Sequence, residues 1–190
     1  MEKRRCGWCL SSPLYMEYHD NEWGVPVKDD HTLFEFLILE SFQAGLSWIT
    51  VLRKRGNFRK AFDDFDPAKI AEYQDDKIQA LLQDSGIIKN RLKIKAAVTN
   101  ARAFLSIQQT FGSFSAYVWS FVGHEPIQHH YVNYKDAPAH TTVSGILCKD
   151  LKKRGFKFMG PTVVYAFMQA VGMVNDHETG CYRHTELQNA

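Results

Sequence analysis

The sequence predicts an all-α protein with a single domain. Apolar residues recur at helical spacing along most of the 190 residues. Residues that commonly begin or end helices stand at the borders of these segments. No stretch shows the sustained alternation of apolar and polar residues that is typical of a half-buried strand, so we expect no sheet. A hydrophobic fraction of 45% is sufficient for a core.

The first clear helix runs from His31 to Gln43 and is the most apolar of the chain. Gly45 can end this helix, and Ser47 can cap a second one. Asp66 followed by Pro67 is typical of an N-cap with proline at the first helical position. The first third of the chain therefore contains at least three helix borders.

The middle of the chain continues the same pattern. Asp75 can open a helix that Gly86 ends, and Asn90 can cap a long helix that ends at Gly112. The segment 124–142 contains two prolines and is expected to be irregular. Further helical spacing occurs over Ser115–Phe121, Thr142–Lys153 and Thr162–Val171.

Charge and cysteine content narrow the class of protein. The net charge is only +2, which does not exclude nucleic acid because local clustering matters more than the sum. Four cysteines in a chain of this size do not form a disulfide scaffold, and this favours a reducing compartment. We expect neither a signal peptide nor a membrane span. The expectation is a cytoplasmic protein with no membrane partner, and we expect a monomer.

Cysteine and histidine residues near the two ends of the chain could complete one metal site. Cys6 and His19 lie near the start, and His177 and Cys181 lie near the end. Two cysteines and two histidines form a closed tetrahedral zinc site. Cys9 could replace His19 as a ligand, and all these residues could also be ordinary buried side chains without a metal. In the metal interpretation, the segments 1–30 and 172–190 are joined by one structural Zn²⁺.

Two basic clusters indicate a polyanion as partner. The first follows the short turn around Gly86 and consists of Lys89, Arg91, Lys93 and Lys95. A turn before a helix can present backbone N–H groups to a phosphate. A plain helical hairpin with a solvated basic face is the common alternative. The second cluster makes a DNA backbone the better interpretation; its members are Lys149, Lys152, Lys153, Arg154 and Lys157.

Glu40 lies among apolar residues toward the end of the most apolar helix. Such a carboxylate is either a surface residue at a helix end or a buried group that needs a hydrogen-bonding partner. Several aromatic residues in the same quarter of the chain could stack a flat ring; they are Trp8, Tyr15, Tyr18, Trp23 and Trp48. Together with the basic clusters, this favours an enzyme that extrudes a base from duplex DNA.

At this point the sequence resembles the DNA-3-methyladenine glycosylase I family, within the helix-hairpin-helix glycosylase superfamily. The resemblance covers nearly the whole chain. Long ungapped stretches carry it, namely Cys6-Gly7-Trp8, residues 18–26, 43–52 and 152–158, and Asn175-Asp176-His177.

The resemblance implies specific roles for residues of this sequence. It implies a helix-hairpin-helix fold with the hairpin at 85–90, and excision of 3-methyladenine from alkylated double-stranded DNA, with the free base as product ligand. The implied zinc ligands are Cys6, His19, His177 and Cys181, which leaves Cys9 outside the site. Glu40 would be the base-recognising and catalytic acid, and the residues around the base would be Tyr18, Trp48 and Trp8.

Two departures from the broader superfamily qualify this picture. The hairpin usually has two glycines, whereas this turn has only Gly86. The Gly160-Pro161 pair is not followed by the aspartate that many superfamily members use. Some of these members also have a nucleophilic lysine upstream, and a lyase activity that needs such an amine is therefore not supported. We expect a monofunctional enzyme without lyase activity.

The interpretation of Leu46 stays open at this point. As a residue in the turn between two helices, it is either a wedge that fills the gap left by a flipped nucleotide or a core leucine. Two rival classes of function also remain. One is a zinc-stabilised DNA-binding module without catalysis, and the other is a small-molecule hydrolase that uses Glu40.

Overall fold

The chain folds almost entirely into helices, and the computed structural model describes residues 3–188. The α-helices are α1 (Pro13–Asn21), α2 (Asp30–Gln43), α3 (Trp48–Ala61), α4 (Pro67–Ala71), α5 (Asp75–Gln83), α6 (Arg91–Phe111), α7 (Phe114–Trp119), α8 (Thr142–Lys153), α9 (Pro161–Ala170) and α10 (Tyr182–Gln188). Short 3-10 helices cover Gly7–Ser11, Asp63–Phe65, Ser120–Val122 and Tyr134–Asp136. The prediction of an all-α protein is confirmed.

Most predicted helix borders agree with the structure. The Asp66 carboxylate accepts hydrogen bonds from the first turn of α4. The Asn90 side chain accepts from the backbone N–H of Lys93 at 3.1 Å and so caps α6. Gly112 ends α6 with a φ of 82°, a conformation that glycine adopts without strain. Ser47 stands at the N-cap of α3, but its side chain makes no capping hydrogen bond to the backbone.

The expectation of no sheet is wrong in one small detail. Strands β1 (Ile127–Gln128) and β2 (Val174–Asn175) pair in parallel over two residues each. Two residues are too few to show an alternating pattern in the sequence. Helix α1 was not predicted either, although Ser12 caps it and Pro13 occupies its first position.

Helix α2 lies at the centre of the molecule. Its residues 33–42 are all buried, because it packs against α3, α6, α7 and α9. A helix that is apolar on all sides must be covered on all sides. The buried Glu35 is tolerated because Arg55 and Arg59 each donate to its Oε1 at 2.8 Å. This central position carries Glu40, in the next-to-last turn of α2, into the interior.

The N-terminal and C-terminal parts of the chain meet beside α9. The backbone N–H of Val27 donates to the carbonyl of Val171 at 3.0 Å. Gly172, with a φ of 71°, approaches the backbone so closely that a Cβ there would stand 2.4 Å from the carbonyl carbon of Val25. A side chain at this position would therefore separate the two segments.

The predicted single domain spans 1–190, with a terminal region of 1–30 and 172–190. Residues 1, 2, 189 and 190 of that prediction lie outside the described residues. Within 3–188, no helix is both long enough and apolar enough to cross a membrane.

Candidate base-binding pocket and metal cluster

A pocket of about 380 Å³ opens between α1, α2, α9 and the start of α3. The segment 134–139 forms another part of its wall, together with Trp8, Trp23 and Asp176. Most of the lining is aromatic or apolar, with a few polar groups, as is usual for sites that bind small ligands. The lining residues are Trp8, Tyr15, Tyr18, Trp23, Glu40, Gln43, Trp48, Tyr134, Ala137, Pro138, Ala139, Thr162, Tyr165, Ala166, Gln169 and Asp176.

Glu40 is the buried carboxyl group of this pocket. Glu40 is 3% exposed, and its Oε2 has no hydrogen-bond partner among residues 3–188. Burial raises the pKa of Glu40 to about 8, because the charged form is poorly solvated there. The surface alternative for Glu40 is thus wrong, and the pocket contains a carboxyl group with an unused acceptor.

Trp8, Tyr18 and Trp48, the three aromatic residues expected around a base, all line the pocket. The rings of Tyr18 and Trp48 have centroids 5.6 Å apart, and Trp8 approaches Tyr18 at 6.4 Å. Behind them, Phe36 from α2 stacks on Trp48 with a centroid distance of 6.4 Å. The indole Nε1 of Trp48 is buried and has no hydrogen-bond partner among residues 3–188.

Asp176 is a second carboxylate in the lining that sequence reasoning did not single out. Unlike Glu40, it is fully hydrogen-bonded: Tyr165 OH and Gln169 Nε2 donate to its Oδ2 at 2.5 and 2.7 Å. His129 Nδ1 lies 2.6 Å from its Oδ1. The one available signal was its place between Asn175 and a predicted metal ligand, His177.

Cys6, His19, His177 and Cys181 come together in a buried cluster beside the pocket. Their candidate ligand atoms all lie within 4.8 Å of one another. His19 Nε2 lies 3.2 Å from His177 Nδ1 and 3.4 Å from Cys181 Sγ. Cys6 Sγ lies 3.5 Å from His177 Nδ1. Zinc bonds of about 2.0–2.3 Å place tetrahedral ligand atoms roughly 3.3–3.8 Å apart, and these three distances are close to that range. The cluster could therefore hold a metal ion.

The outer contacts of the cluster also fit a metal. His19 Nδ1 lies 2.8 Å from Asp20 Oδ1, and His177 Nε2 lies 3.1 Å from the carbonyl of Trp23. Hydrogen bonds from these outer nitrogens leave the inner ones free to bind an ion. Burial lowers the pKa of His177, which favours the neutral ring that a metal requires.

Cys9 is buried but points elsewhere. Its Sγ donates to the carbonyl oxygen of Cys6 at 3.1 Å. It is not one of the four residues of the buried cluster. The alternative in which Cys9 replaces His19 is therefore not favoured by the geometry.

Comparison with known proteins identifies the family of the chain. The family model described as methyladenine glycosylase matches residues 8–184. The chain belongs to the methyladenine glycosylase family. DNA-3-methyladenine glycosylase 1 of Escherichia coli (strain K12) is 53% identical over 177 residues, covering 93% of this chain and 95% of that protein.

Solved structures show the same fold. A crystal structure of 3-methyladenine DNA glycosylase I is 52% identical and superposes with a TM-score of 0.92, covering 94% of this chain and 98% of that one. The Staphylococcus aureus enzyme, whose structure concerns recognition of 3-methyladenine, is 39% identical with a TM-score of 0.91. The match with the Staphylococcus aureus enzyme covers 94% of this chain and 95% of that one.

In this member of the methyladenine glycosylase family, the turn 84–90 joins α5 to α6. The Gly86 N–H, which could have faced a phosphate, donates instead to Asp84 Oδ1 at 2.7 Å. Lys54 from α3 donates to the carbonyls of Ser85 and Gly86 at 3.1 and 3.2 Å. Hydrogen bonds to the side chains of Asp84 and Lys54 thus fix the conformation of the turn.

The predicted DNA contacts of this family member are mostly on the surface. Lys89, Arg91, Lys153 and Lys157 are exposed, and Arg91 donates to Gln79 Oε1 at 3.1 Å. Lys93, which we assigned to the first basic cluster, is buried. The prediction that it belongs to an exposed basic surface is therefore wrong.

Leu46 lies in the turn between α2 and α3, and 42% of it is exposed. The core alternative is therefore wrong for this residue. Gln43 and Trp48, which stand on either side of this turn in the sequence, both line the pocket. An apolar side chain is thus held in solvent beside the pocket.

Proposed function

We propose that this protein is a DNA repair glycosylase that flips 3-methyladenine out of alkylated duplex DNA and hydrolyses its N-glycosidic bond, leaving an abasic site. The observation that carries the proposal is the carboxyl group of Glu40 in a pocket with aromatic walls, where its Oε2 has no hydrogen-bond partner among residues 3–188. Membership of the family and relatives named for the same activity support it.

The chemistry of the substrate matches the charge of the pocket. Adenine methylated at N3 carries a positive charge while it is attached to deoxyribose, and it leaves as a neutral base. The leaving group is therefore already good, and catalysis rests mainly on positioning and electrostatic stabilisation. A buried carboxylate is costly unless a partner offsets its charge, and a cationic base is such a partner.

The residues of the pocket divide the work of recognition. Glu40 accepts hydrogen bonds from the edge of the base, and its carboxylate stabilises the cationic ring. Tyr18 and Trp48 provide a ring surface that attracts a cation more than a neutral base, with Trp8 beside them. The Trp48 N–H, which has no partner in the described part of the chain, adds one donor for an acceptor on the nucleotide.

We infer that the enzyme is monofunctional. A lyase step needs an amine nucleophile, and no lysine occurs among the described residues that line the pocket. Water is then the nucleophile for the sugar carbon.

For the DNA contacts, we propose that Lys89, Arg91, Lys153 and Lys157 bind phosphates, with the turn at Gly86 between α5 and α6 close to the backbone. Leu46 fills the space of the flipped nucleotide. Its exposure beside the pocket supports this role.

The cluster of Cys6, His19, His177 and Cys181 holds one structural Zn²⁺ in this proposal. Two thiolates and two neutral histidines complete a tetrahedron without an open position for water. The ion would thus join the terminal segments and so support the pocket wall that Trp8 contributes. It has no part in the reaction itself.

The test is release of 3-methyladenine from methylated duplex DNA, measured for the wild type and for Glu40→Gln. The wild type should release the base, and the variant should do so much more slowly while still binding undamaged duplex. A wild-type protein that binds methylated duplex without releasing any base would instead be a DNA-binding module.

A further inference from the structure

Lys93 differs from the basic residues around it in the first turns of α6. Arg91 and Lys95 are exposed, whereas Lys93 is 6% exposed. Its Nζ donates to the carbonyl oxygens of Phe42 at 2.8 Å and of Ala44 at 2.6 Å. The charge of Lys93 is thus used inside the protein and is not available as a free surface charge.

The two carbonyls belong to the C-terminal end of α2 and to the residue after it. The last four carbonyls of a helix lack partners within the helix, and this end carries partial negative charge. An ammonium group with two short hydrogen bonds satisfies both needs at once. Lys93 therefore ties the end of α2 to the beginning of α6.

The chain leaves this tie directly into the exposed turn 44–47. Gly45 there has a φ of 84°, and Leu46 is 42% exposed. The other bonds of the turn are local: Leu46 N–H donates to the Gln43 carbonyl at 2.7 Å, and the Ser47 and Thr50 hydroxyls lie 2.8 Å apart. Lys93 differs from these because it reaches the turn from another helix.

We propose that Lys93 is a positioning residue for base extrusion, which sets the place of Leu46 relative to the DNA-binding end of α6. This inference rests on the proposed function. A wedge works only if it enters the duplex at a fixed distance from the phosphates that the protein holds. Two of the proposed phosphate contacts stand at the start of α6, since Arg91 begins this helix and Lys89 precedes it. The hydrogen bonds of Lys93 therefore connect the turn that carries Leu46 directly to the helix end that holds these contacts.

The test uses a duplex with a tetrahydrofuran abasic analogue flanked by 2-aminopurine, whose fluorescence rises when it is unstacked. Lys93→Met keeps most of the apolar stem of the side chain but removes the ammonium group and with it both hydrogen bonds. We expect the variant to bind this duplex but to give a much smaller fluorescence rise at saturation. Excision of 3-methyladenine should fall by up to about 100-fold, the effect of moving a critical group by about 1 Å.

Two controls separate positioning from loss of charge and from general damage. Lys95→Met removes one exposed charge from the same helix; it should weaken binding but give the full fluorescence rise at saturation. Affinity of Lys93→Met for free 3-methyladenine, measured by tryptophan fluorescence, should equal that of the wild type. If Lys93→Met does not fold, Lys93→Gln can still donate to one carbonyl and should give an intermediate fluorescence rise.

A double-mutant cycle decides whether the effect passes through Leu46. In a Leu46→Ala background, Lys93→Met should cause no further loss of the fluorescence rise, because the wedge is already absent. The inference would be overturned if Lys93→Met gave the full fluorescence rise, or if it lost affinity for free 3-methyladenine. It would also be overturned if the losses of fluorescence rise caused by Lys93→Met and Leu46→Ala added up in the double variant. A wild type without any fluorescence rise would overturn the proposed base extrusion instead.

Discussion

The rings of Tyr18 and Trp48 contact each other, with centroids 5.6 Å apart and planes inclined by 45°. A flat base between two parallel rings needs about twice the usual contact distance of roughly 3.5–4 Å, so the space between these two cannot hold one. The two residues therefore form one continuous aromatic wall. In the proposed function, we expect a base to stack on this wall from one side and to meet Glu40 with its edge.

The first prediction concerns this wall. Trp48→Ala should weaken binding of free 3-methyladenine by roughly 1–3 kcal/mol, the usual contribution of stacking on one aromatic ring. Trp48→Phe is the matched control, since it keeps a ring but loses the indole N–H. Fluorescence of the remaining tryptophans measures both affinities. Equal losses in the two variants would assign the effect to the N–H group, and stacking would then be unimportant.

The second prediction concerns stability and the pKa of Glu40. Burial raises this pKa to about 8 in the folded protein, above the ordinary value near 4.5. Between these values the folded state binds more protons than the unfolded state, so the contribution of Glu40 to stability falls as pH rises. Glu40→Gln removes this loss. It should be more stable than the wild type above pH 8, by an amount on the order of a few kcal/mol, while the two proteins should converge near pH 4.

Denaturant unfolding of both proteins across this pH range provides the measurement. Glu35→Gln is the contrasting control, because Arg55 and Arg59 already pair with that carboxylate and its removal should destabilise the fold. If the free energies of unfolding of the wild type and Glu40→Gln changed with pH in parallel, the pKa of Glu40 would not be raised in the folded protein.

The third prediction follows from the same carboxyl group during catalysis. With a pKa of about 8, Glu40 is largely protonated at pH 7 in the free enzyme, whereas the cationic base favours its ionised form. The value of kcat/KM should therefore rise with pH and level off above pH 8. Initial rates of excision at low substrate between pH 6 and 9 test this. A flat profile in the wild type would exclude ionisation of Glu40 as a requirement.

The fourth prediction separates the two buried cysteines near the cluster. Cys181→Ser should lower zinc content and melting temperature, because it removes one of the four proposed ligands. Cys9→Ser should retain both, since its hydroxyl can still donate to the Cys6 carbonyl. Metal analysis and thermal unfolding give the two readouts. Zinc loss of the same size in both variants would mean that the ligand set is wrong.

Local signals in the sequence predicted much of this fold, and long-range packing explains what they missed. Asn90 and Gly112 mark the ends of α6 because capping depends on neighbouring residues. Lys93 and Lys95 look alike in the sequence, yet only Lys93 is buried, because α2 ends beside it. That contact joins residues about fifty positions apart, so no local pattern could indicate it.

The candidate site shows the same division. The resemblance indicated Glu40, Tyr18 and Trp48, which line one pocket. Asp176 was missed because its hydrogen bonds to Tyr165 and His129 depend on the fold and not on spacing. Similarly, the exposure of Leu46 could not be read from its apolar character.

The last prediction concerns the second basic cluster. Lys153 is exposed in the last turn of α8 and has no assigned place in the pocket. If it binds a phosphate, Lys153→Ala should weaken binding to damaged and undamaged duplex alike and reduce the slope of log K against log salt by about one unit. Lys60→Ala removes the same charge from α3, outside both clusters, and should change the slope less. Titrations at several salt concentrations, together with the spectrum of released bases, provide the measurement. A Lys153→Ala variant with normal affinity but a changed choice of released base would place this lysine in base selection instead.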